Sequence, residues 1–158
     1  GCSSTCQLAE AVCDDCIDND GNGTVDAADP GCAESTMTVG RSTIVPHKGT
    51  LKLKADIPLA DGDAVGEVSV ALGDANGTIA CTSVGDLQQK GKKHMASAPL
   101  GSGTLTVSIS GGLVMLRGKH LDLSALDDND LSIGVGIGPH RFAGAAAFRT
   151  RGNKRVHP

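Results

Sequence analysis

The chain has almost no aromatic side chains. Its 158 residues include no Trp and no Tyr, and two Phe, Phe142 and Phe148. Base stacking needs aromatic platforms, as does sugar stacking, so nucleic-acid and carbohydrate readings lose their usual instrument. Long apolar runs are missing as well. The longest fall far short of the roughly 18 residues a membrane-spanning helix needs. No Gly-x-Ser-x-Gly, no phosphate-cradling glycine loop and no metalloprotease helix occurs, and an enzyme is not expected. The chain opens without Met or an apolar leader, which reads as a processed, exported chain beginning near Gly1.

One sign of charge is absent from the first 35 residues. They hold eight acids (Glu10, Asp14, Asp15, Asp18, Asp20, Asp26, Asp29, Glu34) and no Lys or Arg. The remainder holds ten acids and all fourteen bases, so a head of −8 precedes a body of +4. Such a head needs counter-charge from solvent ions, a bound cation or a basic surface.

Five of the six cysteines (Cys2, Cys6, Cys13, Cys16, Cys32) lie in that head, and Cys81 lies in the body. This density reads as a disulfide framework in an oxidising compartment. Cys13 and Cys16 have the spacing of a zinc pair, but no second pair follows. Five head cysteines cannot all pair among themselves. Either Cys81 takes the fifth, tying head to body, or a cysteine pairs with another chain.

The head also carries a specific spacing. From Asp18 to Asp29, the positions of an EF-hand-type calcium loop are filled by Asp18, Asp20, Asn22, Gly23, Thr24, Asp26 and Asp29. Alternate positions point into one concavity as the chain curls, and Gly23 permits the bend. Carboxylate and amide oxygens suit Ca²⁺ rather than a soft metal. Thr24 contributes its carbonyl, and Val25 is the apolar eighth position. Asp29 replaces the usual Glu, and Pro30 argues against an exiting helix. Cys16 and Cys32 bracket the loop, and a disulfide between them would do the work of flanking helices.

The run Cys13-Asp14-Asp15-Cys16-Ile17-Asp18-Asn19-Asp20-Gly21-Asn22-Gly23-Thr24-Val25-Asp26, followed by Asp29-Pro30-Gly31-Cys32, resembles the Cys-flanked calcium-loop motifs of exported proteins of myxobacteria-like and other environmental bacteria. It is similar, more distantly, to the calcium loops of dockerins and thrombospondin type 3 repeats. The resemblance covers residues 13–32 and departs at Ala33, where a second adjacent cysteine is expected. It implies a calcium-stabilised, extracellular surface or matrix protein.

Beyond residue 35 the pattern is that of β structure. Thr50–Ala55, Val68–Leu72, Leu105–Ile109 and Leu131–Ile137 alternate with period two. Turns are expected at Asp61-Gly62-Asp63, Asp74-Ala75-Asn76-Gly77, Ser110-Gly111-Gly112 and Asp127–Asp130, with Asn76-Gly77 as a two-residue hairpin signal and a short helical turn over Leu121–Leu126. About nine strands fit an antiparallel sandwich or barrel. Three similarities suggest a duplicated unit. Gly49-Thr50-Leu51 resembles Gly103-Thr104-Leu105, Val68-Ser69-Val70 resembles Leu131-Ser132-Ile133, and Lys90–His94 resembles Arg151–Arg155.

Weaker features remain. His47, His94, His120, His140 and His157 are scattered and read as isolated surface residues. Lys90-Lys92-Lys93 and Arg149-Arg151-Lys154-Arg155 suit an acidic protein partner or solubility better than nucleic acid. Asp127, Asp128 and Asp130 read as a charged turn. The core is poor in large side chains and would gain from subunit contacts.

The sequence therefore points to an acidic, disulfide-rich calcium head over residues 1–35 and a β body over 36–158. The metal ligands expected are Asp18, Asp20, Asn22, Thr24, Asp26 and Asp29. Opposite charges on one chain favour head-to-tail self-contact, which propagates unless it closes into a ring. The expected function is that of an extracellular calcium-binding filament, sheath or matrix subunit. Its own copies are the expected partner, with no nucleic acid and no membrane span. The alternative is a monomeric, calcium-stabilised binding or accessory module of a secreted protein.

Overall fold

The computed structural model describes residues 13, 15–18, 21, 25, 28–29 and 31–158. Among them it holds fourteen strands: β1 (Ser35–Thr36), β2 (Thr38–Val39), β3 (Ser42–Val45), β4 (Thr50–Asp56), β5 (Glu67–Asp74), β6 (Gly77–Asp86), β7 (Gln88–Lys90), β8 (Lys93–Leu100), β9 (Gly103–Ser110), β10 (Leu113–Lys119), β11 (Asp130–Ile137), β12 (His140–Ala147), β13 (Arg149–Arg151) and β14 (Lys154–His157). Every segment expected from alternation is a strand. Of the ten others, β6, β8, β10 and β12 are seven to ten residues long, and β1, β2, β3, β7, β13 and β14 are two to four.

Two sheets form a sandwich. The smaller runs β1-β12-β11-β5-β6, and the larger runs β13-β14-β3-β4-β10-β9-β8-β7 with β2 also paired to β4. Pairing is antiparallel except for β1 on β12. The period-two pattern sends one set of side chains inward from each sheet. Val68, Val70, Leu72, Leu131, Ile133, Val135 and Ile137 meet Ile44, Leu51, Leu53, Leu105, Val107, Ile109, Val114 and Leu116 in one cluster. Both Phe are in it, Phe142 at 1% and Phe148 at 4% exposure. Branched aliphatics fill the space that aromatics commonly take, so the core is continuous despite the composition.

The body is duplicated, with a pseudo-twofold relation between its halves. Strands β4 to β8 correspond in order to β10 to β14. The hairpin pair Asp74↔Gly77 recurs as Ile137↔His140, 63 residues on. The amide of Leu87 donates to the Gly66 carbonyl, and that of Phe148 donates to the Asn129 carbonyl. β6 carries two register irregularities that β12 lacks. They absorb two extra residues, so the offset falls to 61 between Lys90↔Lys93 and Arg151↔Lys154. In each half the last strand pairs with the other half's first: β8 with β9, β14 with β3. The axis passes between β4 and β10 in the larger sheet and between β5 and β11 in the smaller.

Two of the three expected similarities reflect this repeat, and the third does not. Gly49 does not correspond to Gly103: since β4 corresponds to β10, Gly49 stands where Gly112 stands. The shared Gly-Thr-Leu has another cause. β4 and β9 flank β10 on either side, and both glycines make room for the chain as it leaves β10. A Cβ on Gly49 would lie 2.3 Å from the Leu121 carbonyl oxygen, and one on Gly103 would lie 2.5 Å from the carbonyl oxygens of Lys119 and His120.

Two turns differ in detail from expectation. The β5–β6 hairpin closes on Ala75-Asn76 rather than Asn76-Gly77, because Gly77 already pairs with Asp74. Leu121–Leu126 is not helical; the Leu126 amide closes a single turn on the Leu123 carbonyl. The Ser110-Gly111-Gly112 turn is a two-residue hairpin with both glycines at positive φ, 58° and 74°.

Asp74 organises one end of the sandwich. Its Oδ1 accepts the Asn76 amide at 2.8 Å, and its Oδ2 accepts those of Asp127 and Asp128 at 3.1 and 3.2 Å. Arg155 donates to the carbonyls of Leu126 and Asp128 in the same turn. Burial raises the Asp74 pKa, but the three amides and the Arg155 charge outweigh it and hold the carboxyl below its ordinary value. The acidic turn at Asp127–Asp130 is thus wrapped around a buried carboxylate. Replacing Asp74 with Ala leaves three amides without their acceptor, and denaturant unfolding at neutral pH is expected to show a loss of about 2–3 kcal/mol. A depressed folded-state pKa gives stability that is present above the unfolded pKa and lost as pH falls through the folded one. The gap between wild type and variant should therefore close only on acidification.

Candidate metal centre

The described part of the head is attached to the smaller sheet at three places, two on its outer face and one at its β12 edge. The first is covalent. Cys16 bonds Cys81 on β6, and Cys13 bonds Cys32, each pair with Cα atoms 5.7 Å apart. The expected Cys16–Cys32 bridge is therefore not formed. Cys81, on the outward side of its sheet, takes a head cysteine, and Cys13 closes the loop on Cys32. Of the two open alternatives for the odd cysteine, the intrachain tie to the body is realised. Cys2 and Cys6 lie outside the described residues. Two disulfides imply a non-reducing compartment.

The second attachment is apolar. Val25 and Ala28 are buried against Ala71 of β5, with Cys81 beside them. Outward positions next to them are small: Ala71 pairs with Cys81 on one side and with Gly134 on the other. A large side chain there would hold the loop off the sheet. Val25, the apolar eighth position of the loop, thus has a seat.

The third is the exit from the head. The Glu34 amide donates to the Arg141 carbonyl, and Met37 donates to Ala143 at 2.8 Å. β1 joins the smaller sheet and β2, two residues later, joins the larger. Met37 and Val39 are buried in the core between them. Glu34 also meets His140, with Oε1 2.7 Å from Nδ1. The head is therefore continuous with the sandwich rather than hung from it.

Of the six expected ligands, Asp18 and Asp29 are described. Asp20, Asn22, Thr24 and Asp26 lie outside the described residues, as does Gly23. Oδ1 of Asp18 accepts the Gly21 amide at 2.6 Å, where Gly21 has φ 74°. Asp29 is fully buried. Its Oδ1 accepts the Gly31 amide, and its carbonyl accepts those of Cys32 and Ala33 at 3.1 and 3.0 Å. A buried carboxylate is stable only when hydrogen-bonded or matched by positive charge. The Gly31 amide supplies the first, and a hard cation held by the loop would supply the second. Asp18 and Asp29 both fall between Cys13 and Cys32, so this bridge, rather than one from Cys16, closes the segment that carries the expected ligands.

The other sites considered in the sequence do not assemble. Among the described residues, no three His, Cys, Asp or Glu are grouped to hold a metal. His140 is engaged with Glu34, and His157 places its ring nitrogens 2.8 Å from the Ala147 carbonyl and 3.2 Å from the Val39 carbonyl. Among the described residues, no helix is long and apolar enough to cross a membrane.

Two features escaped the sequence reading. The role of Asp74 gave no local signal beyond its bond to the Asn76 amide, because its other two partners lie 53 and 54 residues away. The cations of the larger sheet were seen only as the runs near Lys90 and Arg149. Counting at period two would have set Lys52 with Lys54 on one side of β4, and Arg117 with Lys119 on one side of β10. No protein-family model, no curated protein and no solved structure matches the chain.

Proposed function

We propose that the chain is an extracellular, calcium-binding structural protein that assembles with copies of itself, and that it has no enzymatic role. The observation that carries this reading is the seat of the acidic head. The described residues of the head are stapled through Cys16, packed through Val25 and Ala28 and hydrogen-bonded through Glu34 to one sheet, and a head of −8 precedes a body whose net charge is positive. Opposed charges on one chain favour a heterologous contact, which extends into a filament unless the rotation closes. Asp18, Asp20, Asn22, Thr24, Asp26 and Asp29 hold Ca²⁺ in this reading. The ion compensates the mutual repulsion of the loop carboxylates and the burial of Asp29, and so sets the head in the form that the next copy meets. The test is electron microscopy and light scattering of the native protein in millimolar calcium. Ordered polymers are expected. A monodisperse monomer would sink the reading and leave the calcium-stabilised accessory module.

A further inference from the structure

We propose that the outward face of the larger sheet is the docking surface for the acidic head of a second copy of this chain. The inference rests on the self-assembly reading and names the surface it uses.

Strand parity places nine cations on that face. Lys52 and Lys54 alternate with the buried Leu51, Leu53 and Ala55 of β4, and Arg117 and Lys119 alternate with Val114 and Leu116 of β10. Register sets Arg117 opposite Lys52 and Met115 opposite Lys54. Lys93 and Lys90 pair on β8 and β7, and Lys154 and Arg151 pair on β14 and β13, with Arg149 opposite Val156. The one acid on these outward positions is Asp56, at the end of β4. Among the described residues, none of the nine has a carboxylate within ion-pair distance; the pair found there is Glu34 with His140.

The pseudo-twofold relation makes this face double. One hollow of about 450 Å³ is lined by Met95, Thr106, Ser108, Met115, Arg117 and Lys119 among others. A second of about 450 Å³ is lined by Arg41, Thr43, Arg149, Arg151 and Val156 among others. Met95 corresponds to Val156, Ser108 to Thr43 and Thr106 to Arg41, so the two hollows share three corresponding positions on either side of the Lys52–Arg117 ridge.

Charge decides the occupant. Face-to-face packing of two such sheets would set cations against cations. The head, with eight acids and no Lys or Arg in residues 1–35, is the complementary surface on the same chain. Its described residues Cys16, Val25 and Ala28 lie on the outer side of the opposite sheet, at Cys81 and Ala71. Contact between opposite faces therefore leaves both ends open for the next copy. Apolar pieces match as well: Ile17 of the head is 57% exposed, and Leu113 of the basic face is 36% exposed. The eight strands of this face hold 44 residues, which at about 4.8 Å by 3.3 Å each give roughly 700 Å², close to the per-partner share of a standard interface.

The test compares native protein with a variant carrying Lys52→Glu, Lys54→Glu and Arg117→Glu, by sedimentation and electron microscopy in millimolar calcium. Circular dichroism checks folding, and a Lys52→Gln, Lys54→Gln, Arg117→Gln variant replaces it if the first does not fold. The expected result is polymer from the native protein, shortened by added salt, and a folded monomer from the variant. Polymer from the variant at the native concentration would overturn the proposal while leaving self-assembly intact. A native protein that stays monomeric would overturn both, and retention on a heparin column would then assign the face to a polyanion.

Discussion

Replacing Cys16 and Cys81 together with Ser is expected to release the head from the smaller sheet. The bridge spans 65 residues, and in the chain-entropy account closing a loop of that length is worth about 4 kcal/mol. The 19-residue bridge between Cys13 and Cys32 is worth about 3 kcal/mol on the same scale. The two act on different parts of the molecule. Loss of the shorter one loosens the loop between Asp18 and Asp29. Loss of the longer one leaves the loop closed but removes the covalent tie that keeps Val25 and Ala28 on Ala71. Differential scanning calorimetry should show a lower transition for the Cys16→Ser, Cys81→Ser variant, with proteolysis appearing first in the head. An unchanged transition and an uncut head would mean that the apolar seat and β1 hold the head unaided.

Replacing Gly103 with Ala is expected to cost about 3 kcal/mol or more, because the new methyl meets the backbone of the adjoining chain. Its Cβ would stand 2.5 Å from the carbonyl oxygens of Lys119 and His120, and neither can swing away as a side-chain end can. Gly118 is the instructive contrast. A Cβ there would meet side chain before backbone: Leu121 Cδ1 at 2.3 Å and Cγ at 2.9 Å, with Leu51 Cβ at 3.2 Å, so the buried Leu121 must repack. Gly118→Ala should therefore cost clearly less than Gly103→Ala. Chemical denaturation of the two variants side by side measures the difference, and equal losses would contradict the account of how the chain leaves β10.

The contrast between strands shows what local pattern can and cannot convey. β4, β9 and β11 were legible because each buries one face, so apolar residues recur at every second position from Leu51 to Ala55, Leu105 to Ile109 and Leu131 to Ile137. β7 and β13 are exposed at every residue and carry no such signal. They exist because the halves repeat and the hairpins with β8 and β14 extend them. β1 and β2 are two residues each, and only Met37 and Val39 falling into the core between the sheets makes them strands. The repeat itself was visible in Val68-Ser69-Val70 and Leu131-Ser132-Ile133, yet Gly49-Thr50-Leu51 misled, since two glycines can be required by a common neighbour as well as by common descent.

The candidate site divides in the same way. Ligand spacing from Asp18 to Asp29 is a property of the chain and can be counted. Disulfide partners are a property of the fold: Cys81 faces outward on β6, and this exposes it to Cys16 rather than leaving Cys16 to Cys32. The basic face is intermediate. Each cation lies at a countable position, but their union into one surface needs the order β14-β3-β4-β10-β9-β8.

The most direct measurement of the central claim is electron microscopy and light scattering of one native preparation in millimolar calcium, then after chelation. The account predicts ordered polymers that fray or dissolve when calcium is withdrawn and re-form when it is restored. Polymers indifferent to chelation would contradict the calcium clamp, and a monomer in both conditions would contradict the subunit itself.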